Sequence, residues 1–256
     1  QTDAFFDHAV GTSAGSLSPR TNWRQLADFE FALPPIEEQR RVCQFALAFL
    51  DLSSAHHSVH VSADTQFKAL LRYLMRSGPM AETPTMTGNL IHPPSWPVAR
   101  LEDVATVERG KFSHRPRNLP KFFGGPYPFV QTGDIASSVR SLSQYSQHLS
   151  DNGLQYSKSF PAGSIMLTIA AVIGATAITT EETWCPDSVV GIVPNSRADV
   201  HFLEYALRDA RPYLEHKVAT QTAQKNINLE ILRPMLIPCP DIEVQSVVVD
   251  ILVRSE

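Results

Sequence analysis

One uninterrupted stretch, from Leu33 to Arg76, constrains the fold of this chain more than any other feature. It opens with LPPIEEQRRV and continues for about forty residues without an internal Pro or Gly. Apolar side chains recur along it at alternating spacings of three and four residues, as in the seam of a coiled coil. The seam consists of Val42, Phe45, Phe49, Leu52, Val59, Ala63, Leu70 and Tyr73, with Phe67 where Gln66 interrupts the pattern. The pattern predicts one helix of roughly 60 Å, whose seam requires a second helix alongside.

Both ends of this predicted helix, residues 34–77, carry the expected signals. Pro35 suits a first helical turn, and Glu37 lies near the positive end of the helix dipole. Arg76 lies near the negative end, and Gly78 can cap the last turn. These signals indicate that the helix begins and ends close to the limits of the apolar pattern.

The start of a second helix of the same kind lies near the C-terminus. Residues 232–252 repeat residues 26–46 at a single offset of 206 (245 − 39). The matched pairs are Pro34 and Pro240, Ile36 and Ile242, Glu37 and Glu243, and Gln39 and Gln245. So long a period indicates a duplicated module rather than a solenoid. Because the second copy stops at Glu256 and position 1 is Gln, we expect the chain to be a piece of a longer, two-module protein, or a processed form of one.

Composition sets broad limits on the function. The chain has 256 residues, 43% of them hydrophobic, which is enough for one good core and an elongated helical element. We expect no membrane association, because no apolar run approaches 18 residues. Cys43, Cys185 and Cys239 are too far apart for a disulfide framework or a zinc pattern. A cytoplasmic protein is therefore expected.

Positive charge is concentrated in one short segment, although the chain as a whole is slightly acidic. The net charge is −4 and the pI about 6.1, which argues against a surface that is basic everywhere. Residues 109–121 nevertheless contain no acid, and their basic side chains are Arg109, Lys111, His114, Arg115, Arg117 and Lys121. A local patch of this kind is sufficient for contacts with phosphates.

Polar side chains near this segment, and in a second one, are candidates for reading a nucleic acid. Arg and Lys neutralise phosphates and reach guanine edges, whereas Gln and Asn can pair with adenine. The candidates are Lys111, Arg115, Arg117, Asn118, Lys121, Gln131, Thr132, Asp134, Gln221, Gln224, Lys225 and Asn226. From composition alone, solvated polar loops explain these residues equally well.

Two patterns allow a hydrolase as an alternative. GTSAG, residues 11–15, matches the G-x-S-x-G nucleophile elbow around Ser13, but the loop-like SLSPRTNW follows it where that motif needs a helix. Cys185 is a second possible nucleophile. We interpret residues 11–15 as a polar loop and expect labelling of Ser13 or Cys185 by serine- or cysteine-directed probes to fail.

A cluster of histidines allows a metal site on the long helix. His56, His60 and Asp64 follow one another at intervals of four residues on one helical face, and His57 adjoins them. Such spacing can hold a metal ion. Because no further ligand lies nearby in the sequence, we interpret the cluster as a polar break in the seam and expect neither a metal nor another cofactor.

The rest of the chain mixes strands and helices without strict alternation, which predicts an α+β fold. Strands are predicted at Tyr127 to Gln131, at Ser164 to Ile169 with a turn and another strand around Gly174, and at Asp187 to Pro194. An amphipathic helix is predicted at residues 201–219, with a break or kink at Pro212. The composition of residues 78–95, rich in Pro, Thr and Gly, predicts a linker.

The repeated helix start occurs together with three further strings. These are GGPYPFVQTGDI at 124–135, FPAGSIMLTIAAVIGATAI at 160–178 and PDSVVGIVP at 186–194. In this combination the chain resembles the specificity subunit of type I restriction-modification systems over nearly its whole length. The resemblance implies a mixed α/β target-recognition domain joined to a long helix of the coiled-coil type.

The resemblance also implies a domain organisation. Such subunits carry two target-recognition domains, separated by two long antiparallel helices, and each domain reads half of a split DNA sequence. Residues 1–33 would then end the first recognition domain, and residues 34–77 would form the first conserved helix. After a linker at 78–95, residues 96–238 would form the second recognition domain and residues 239–256 would begin the second helix.

The resemblance finally implies partners and a non-catalytic role. The expected partners are double-stranded DNA with a bipartite target, DNA adenine methyltransferase subunits and the restriction motor subunits. The chain contains no N-P-P-[YF] string, no Gly-rich cofactor loop after a strand and no P-loop, so methylation would be the work of the partner. The alternative function is a scaffold that assembles methyltransferase subunits without reading DNA.

Overall fold

The computed structural model describes residues 2–13, 20–221 and 227–256, apart from the side chains of Thr2 and residues 217–221. Within these ranges the chain combines helices with small mixed sheets, so the predicted α+β class is confirmed. The chain divides into two compact units, Gln1–Ser62 and Ala63–Glu256.

The first unit contains two short helices and the beginning of a long one. These are α1 (Thr2–Gly11), α2 (Trp23–Ala27) and α3 (Ile36–Ser77), the last of which continues into the second unit. Asn22 caps α2, because its side-chain oxygen accepts a hydrogen bond of 3.0 Å from the backbone N–H of Gln25.

The predicted long helix is confirmed as α3, a single element of 42 residues. The helix ends at Ser77, and Gly78 caps it. The φ of Gly78 is +64°, which favours glycine, and its N–H donates to the Leu74 carbonyl at 2.9 Å. In the first unit the predicted seam is exposed. The exposed fractions are 60% for Val42, 75% for Phe45, 63% for Phe49, 68% for Leu52 and 68% for Val59. Pairing of this seam with a second helix therefore stays a prediction.

The second unit contains the last turns of α3, thirteen strands and six further helices among the residues that the structure describes. The strands are β1 (Thr85–Thr87), β2 (Leu90–His92), β3 (Val98–Arg100), β4 (Ala105–Arg109), β5 (Phe123–Phe129), β6 (Ser141–Leu142), β7 (Gln147–Leu149), β8 (Lys158–Phe160), β9 (Ile165–Thr168), β10 (Thr176–Thr179), β11 (Thr183–Cys185), β12 (Val189–Pro194) and β13 (Leu236–Pro238). The helices are α4 (Leu101–Val104), α5 (Thr132–Ser137), α6 (Asp151–Leu154), α7 (Val200–Gln221), α8 (Leu229–Leu232) and α9 (Ile242–Val253), and a single 3-10 turn covers Pro120–Phe122.

Two mixed sheets form the body of this unit. The larger has the order β4-β12-β9-β10-β6 and is antiparallel except between β10 and β6. The smaller has the order β7-β5-β11-β8, with β5 parallel to β11. The sheets meet where Gly191 of β12 faces Phe160 of β8. A Cβ atom at Gly191 would lie 2.2 Å from the Phe160 ring, so only glycine permits this approach.

Helices cover the larger sheet and join it to α3. Leu203 and Leu207 of α7 are buried with Ile165 and Ile192 of the sheet in one core cluster. Other side chains on the same turns of α7 join residues of α3 and α9 in a second cluster, formed by Leu71, Leu74, Met75, Trp96, Phe202, Tyr205, Ala206, Val248 and Leu252. The end of α3 is thus packed against α7 and α9 by apolar burial.

The two copies of the sequence repeat form the same local hydrogen bonds. Gln39 donates from Nε2 to the Pro34 carbonyl at 2.7 Å, and Gln245 donates to the Pro240 carbonyl at 2.7 Å. Asn228, 206 residues after Asn22, caps α8 as Asn22 caps α2, by accepting from the N–H of Ile231 at 3.0 Å. The correspondence therefore extends upstream of the helix starts.

Three segments differ from the sequence-based predictions. Residues 78–95, predicted as a linker, contain the hairpin of β1 and β2, whose turn uses Gly88 at φ +60°. Helix α7 passes through Pro212 without a break. The strand predicted at 127–131 is observed as β5, Phe123–Phe129. It ends before Gln131 because that residue is the N-cap of α5.

Candidate nucleic-acid interface

Two predicted polar segments flank the C-terminal end of β11. The Lys111 N–H donates to the Cys185 carbonyl at 2.9 Å, and the Val130 N–H donates to the Trp184 carbonyl at 2.9 Å. Consecutive carbonyls of a strand point to opposite sides. The basic loop, residues 109–121, runs from β4 of the larger sheet to β5 of the smaller one. It and the segment that begins at Gln131 therefore flank the C-terminal end of β11 on opposite sides.

Gly110 allows the basic loop to approach β11 closely. A Cβ atom at this position would lie 2.3 Å from the Pro186 carbonyl oxygen and 2.5 Å from the Cys185 Sγ. Any side chain would displace the loop from the strand. The glycine thus fixes where Lys111 leaves the sheet.

Asp187 is an anionic centre for the arginines of the basic loop. Arg117 donates to its Oδ2 at 2.6 Å, and Arg109 donates from Nε to its backbone carbonyl. Burial raises the pKa of Asp187, but the hydrogen bond from Arg117 and the charges of Arg117, Arg109 and Arg115 outweigh burial and lower this pKa below its ordinary value. Asp187 is therefore ionised at neutral pH and orders the loop.

The other cations of the loop differ in how firmly they are held. Arg115 donates to the carbonyls of Phe112 at 2.8 Å and His114 at 2.9 Å, which folds its side chain onto the loop itself. Lys121 lies 5.1 Å from the centroid of the Phe122 ring. Lys111, Lys121 and Asn118 are exposed. The lysines are thus the cations most available to an external anion.

Asp134 shapes the segment on the other side of β11. Its carboxylate accepts from the Gln131 N–H at 2.8 Å and from the Ser146 Oγ at 3.1 Å, so that α5 begins at Thr132. The side chains of Gln131, Thr132 and Asp134 are half-buried. Asp134 thus has a structural role beside its predicted contact with DNA, whereas Gln131 is presented at a helix start.

The third predicted group lies largely outside the described residues. Gln224, Lys225 and Asn226 are outside them, and Gln221 is the last residue of α7 with its side chain not described. Contacts of these four residues with DNA stay predictions.

Two residues of the site are not among the predicted ones. The sequence pattern places Asp187 in a strand, whereas β12 begins at Val189 and Asp187 pairs with Arg117; the lone acid of PDSVVGIVP is the signal that points to it. The second is Lys158 of β8. Its Nζ lies 2.7 Å from Glu108 Oε2, which places an additional cation beside the base of the basic loop.

The hydrolase alternative is not supported at Ser13. Gly11 ends a helix, whereas the nucleophile elbow requires a strand before the nucleophile. The Ser13 hydroxyl donates to the Val10 carbonyl at 2.7 Å, which is a local bond at the end of that helix.

The cysteines are expected to differ sharply in reactivity. Cys43 is exposed, whereas Cys185 and Cys239 are buried. Burial raises the pKa of the Cys185 thiol strongly, more than the nearby charge of Lys158 lowers it. Titration of the native chain with a thiol reagent should modify one cysteine, and unfolding in denaturant should release the other two. Rapid modification of Cys185 in the native chain would contradict this prediction.

In the part of the chain that the structure describes, no helix is both long and apolar enough to cross a bilayer.

Comparison with known proteins gives concordant matches. A model of the family described as "Type I restriction modification DNA specificity domain" matches residues 93–255. The specificity subunit of the type I restriction enzyme HindI, from Haemophilus influenzae, is 25% identical over 156 residues, which are 59% of this chain and 33% of that protein.

Several solved structures are similar in fold. The HsdS subunit from Thermoanaerobacter tengcongensis has a TM-score of 0.55 at 18% identity, covering 99% of this chain and 59% of its own. A chain from a structure of a type I restriction-modification system has a TM-score of 0.60 at 19% identity, and the match covers 98% of this chain and 60% of that one. The S subunit from M. genitalium has a TM-score of 0.58 at 9% identity, covering 96% and 61%. The chain thus spans a third of the curated relative and about 60% of these solved chains.

Proposed function

Because the chain belongs to the family of type I restriction-modification DNA specificity domains, we propose that it recognises a DNA sequence and directs methylation and restriction by partner subunits. The observation that carries this proposal is the convergence of two polar segments on the end of β11 within the matched region. The basic loop supplies phosphate contacts, and the α5 start presents Gln131 toward a base edge.

The repeat supports a two-module organisation. We assign residues 96–238 to one target-recognition domain and residues 1–33 to the end of another, because Asn22 and Asn228 cap equivalent helices. The first conserved helix is then residues 34–77, which residues 78–95 connect to the recognition domain. The second conserved helix starts directly after that domain, with residues 239–256. Each recognition domain reads one half of a bipartite target in double-stranded DNA.

The chemistry belongs to other subunits. DNA adenine methyltransferase subunits cover the seam residues of α3 that the second conserved helix leaves exposed and flip the target base, and restriction motor subunits join the complex. The chain itself acts without catalysis and without a cofactor, in the cytoplasm, where the DNA is found.

Selection of binding sites from a random duplex library tests the proposal. The chain should enrich one short sequence, and Gln131→Ala should relax the preference at one position by about 1 to 3 kcal/mol. The matched control is Gln66→Ala, an exposed glutamine of α3 outside the matched residues 93–255, which should leave the preference unchanged. Recovery of random sequences by the native chain would refute sequence-specific recognition.

A scaffold that does not read DNA is the second candidate. It is favoured by one observation, the exposed apolar seam on α3. The triple variant Arg115→Ala, Arg117→Ala, Lys121→Ala separates the two functions. A scaffold keeps both complex formation and DNA affinity in this variant, whereas a DNA reader keeps complex formation and loses affinity.

A further inference from the structure

Two histidines on α3 approach each other along one side of the helix. The Nε2 atoms of His56 and His60 are 3.3 Å apart, and their ring centroids are 4.4 Å apart with planes inclined by 70°. Both side chains are exposed. In a linear N–H···N hydrogen bond the two rings would point at each other, and their centroids would be much farther apart than the nitrogens. Here the centroids are only slightly farther apart than the nitrogens, so the two rings lie beside each other.

This separation suits two ligands of one tetrahedral ion. Imidazole nitrogens bind Zn²⁺ at about 2.0 to 2.1 Å, so two of them at a tetrahedral angle lie about 3.3 to 3.4 Å apart. Histidines four residues apart share one helical face, which is the arrangement that lets a helix chelate zinc. We propose that His56 and His60 bind one divalent transition-metal ion of the Zn²⁺ class.

The pair acts without the other residues of the histidine cluster. Asp64 is engaged by Lys68, whose Nζ lies 2.6 Å from its Oδ2. His57 follows His56 directly and projects about 100° away around the helix. Across the described residues no group of three or more His, Cys, Asp or Glu side chains could hold a metal. The site is therefore a two-histidine chelate whose other positions are open to water or to an added ligand.

The chelate lies within the apolar seam. His56 follows Leu52 by four residues and precedes Val59 by three, so it occupies a seam position between two exposed apolar side chains. A bound ion would cross-link one turn of α3 on the face that a second helix would cover. The proposal does not depend on DNA recognition, because these residues lie outside the matched segment 93–255.

Calorimetric titration of the tag-free chain with Zn²⁺, together with the visible absorption of added Co²⁺, tests the site. The native chain should bind one ion, and added Zn²⁺ should reverse the change that the chain produces in the absorption of Co²⁺. His56→Ala and His60→Ala should each weaken binding at least tenfold, because one imidazole cannot chelate. His57→Ala is the matched control and should remain within twofold of the native chain.

All three substitutions place alanine at an exposed helical position, which favours the helix, so circular dichroism should report an intact fold in each variant. The proposal is overturned if the native chain binds no ion. It is also overturned if His57→Ala weakens binding as much as the other two, or if both His56→Ala and His60→Ala bind normally.

Discussion

Replacing Gln245 by alanine is expected to lower the free energy of unfolding of the second unit by about 3 kcal/mol. The buried Gln245 side chain accepts from the Asp199 N–H at 2.8 Å and donates to the carbonyls of Arg197 at 2.9 Å and Pro240 at 2.7 Å. Each bond contributes about 1 kcal/mol net, and alanine replaces none of them, neither the buried bond to Pro240 nor the part-buried bonds to Arg197 and Asp199. The loss should appear in urea denaturation followed by the fluorescence of the buried Trp96.

The repeat supplies the matched control, Gln39→Ala. Gln39 is half-buried and makes the equivalent bond to the Pro34 carbonyl at 2.7 Å. One bond at a more exposed position should cost at most about 1 kcal/mol, and only in the unfolding of the first unit. Equal losses in the two variants would mean that the additional bonds of Gln245 contribute nothing.

Removing both lysines of the basic loop is expected to weaken binding to every duplex. Among the described residues neither Lys111 nor Lys121 is in an ion pair with an acid, whereas Arg117 is held by Asp187. Each lysine that neutralises a phosphate releases condensed counterions. In the Lys111→Ala, Lys121→Ala variant, log affinity should therefore fall less steeply with log salt, by about 2 in the magnitude of the slope.

Fluorescence anisotropy with labelled duplexes over a range of KCl concentrations measures this slope. Lys68→Ala serves as the control, since Lys68 lies on α3 and is paired with Asp64, and it should leave the slope unchanged. An unchanged slope in the double variant would exclude phosphate contacts by these lysines. A loss confined to one sequence would instead assign them to base recognition.

Local features of the fold were predictable because short-range chemistry determines them. The absence of Pro and Gly, together with Gly78, fixed the extent of α3. The repeated glutamine likewise predicted a repeated helix start, and both copies form the same bond to a proline carbonyl. Strands β9 and β12 were predictable from their β-branched residues.

The composition of the site was predictable, but its assembly was not. The cluster of cations in residues 109–121 is visible in the sequence. Its attachment to Asp187 joins residues 70 positions apart in the case of Arg117, and no local pattern encodes such a pair. For the same reason the order of strands in the two sheets, and the hairpin within residues 78–95, could not be derived from periodicity.

The contact of Gly191 with the Phe160 ring has a consequence for the position of the basic loop. The basic loop connects β4 of the larger sheet to β5 of the smaller sheet, and the larger sheet carries α7 and, through it, the end of α3. With no side chain at Gly191, the Phe160 ring packs directly on the backbone of β12, and any larger residue there would push the two sheets apart. The relative placement of the two ends of the basic loop therefore depends on the absence of a Cβ atom at position 191.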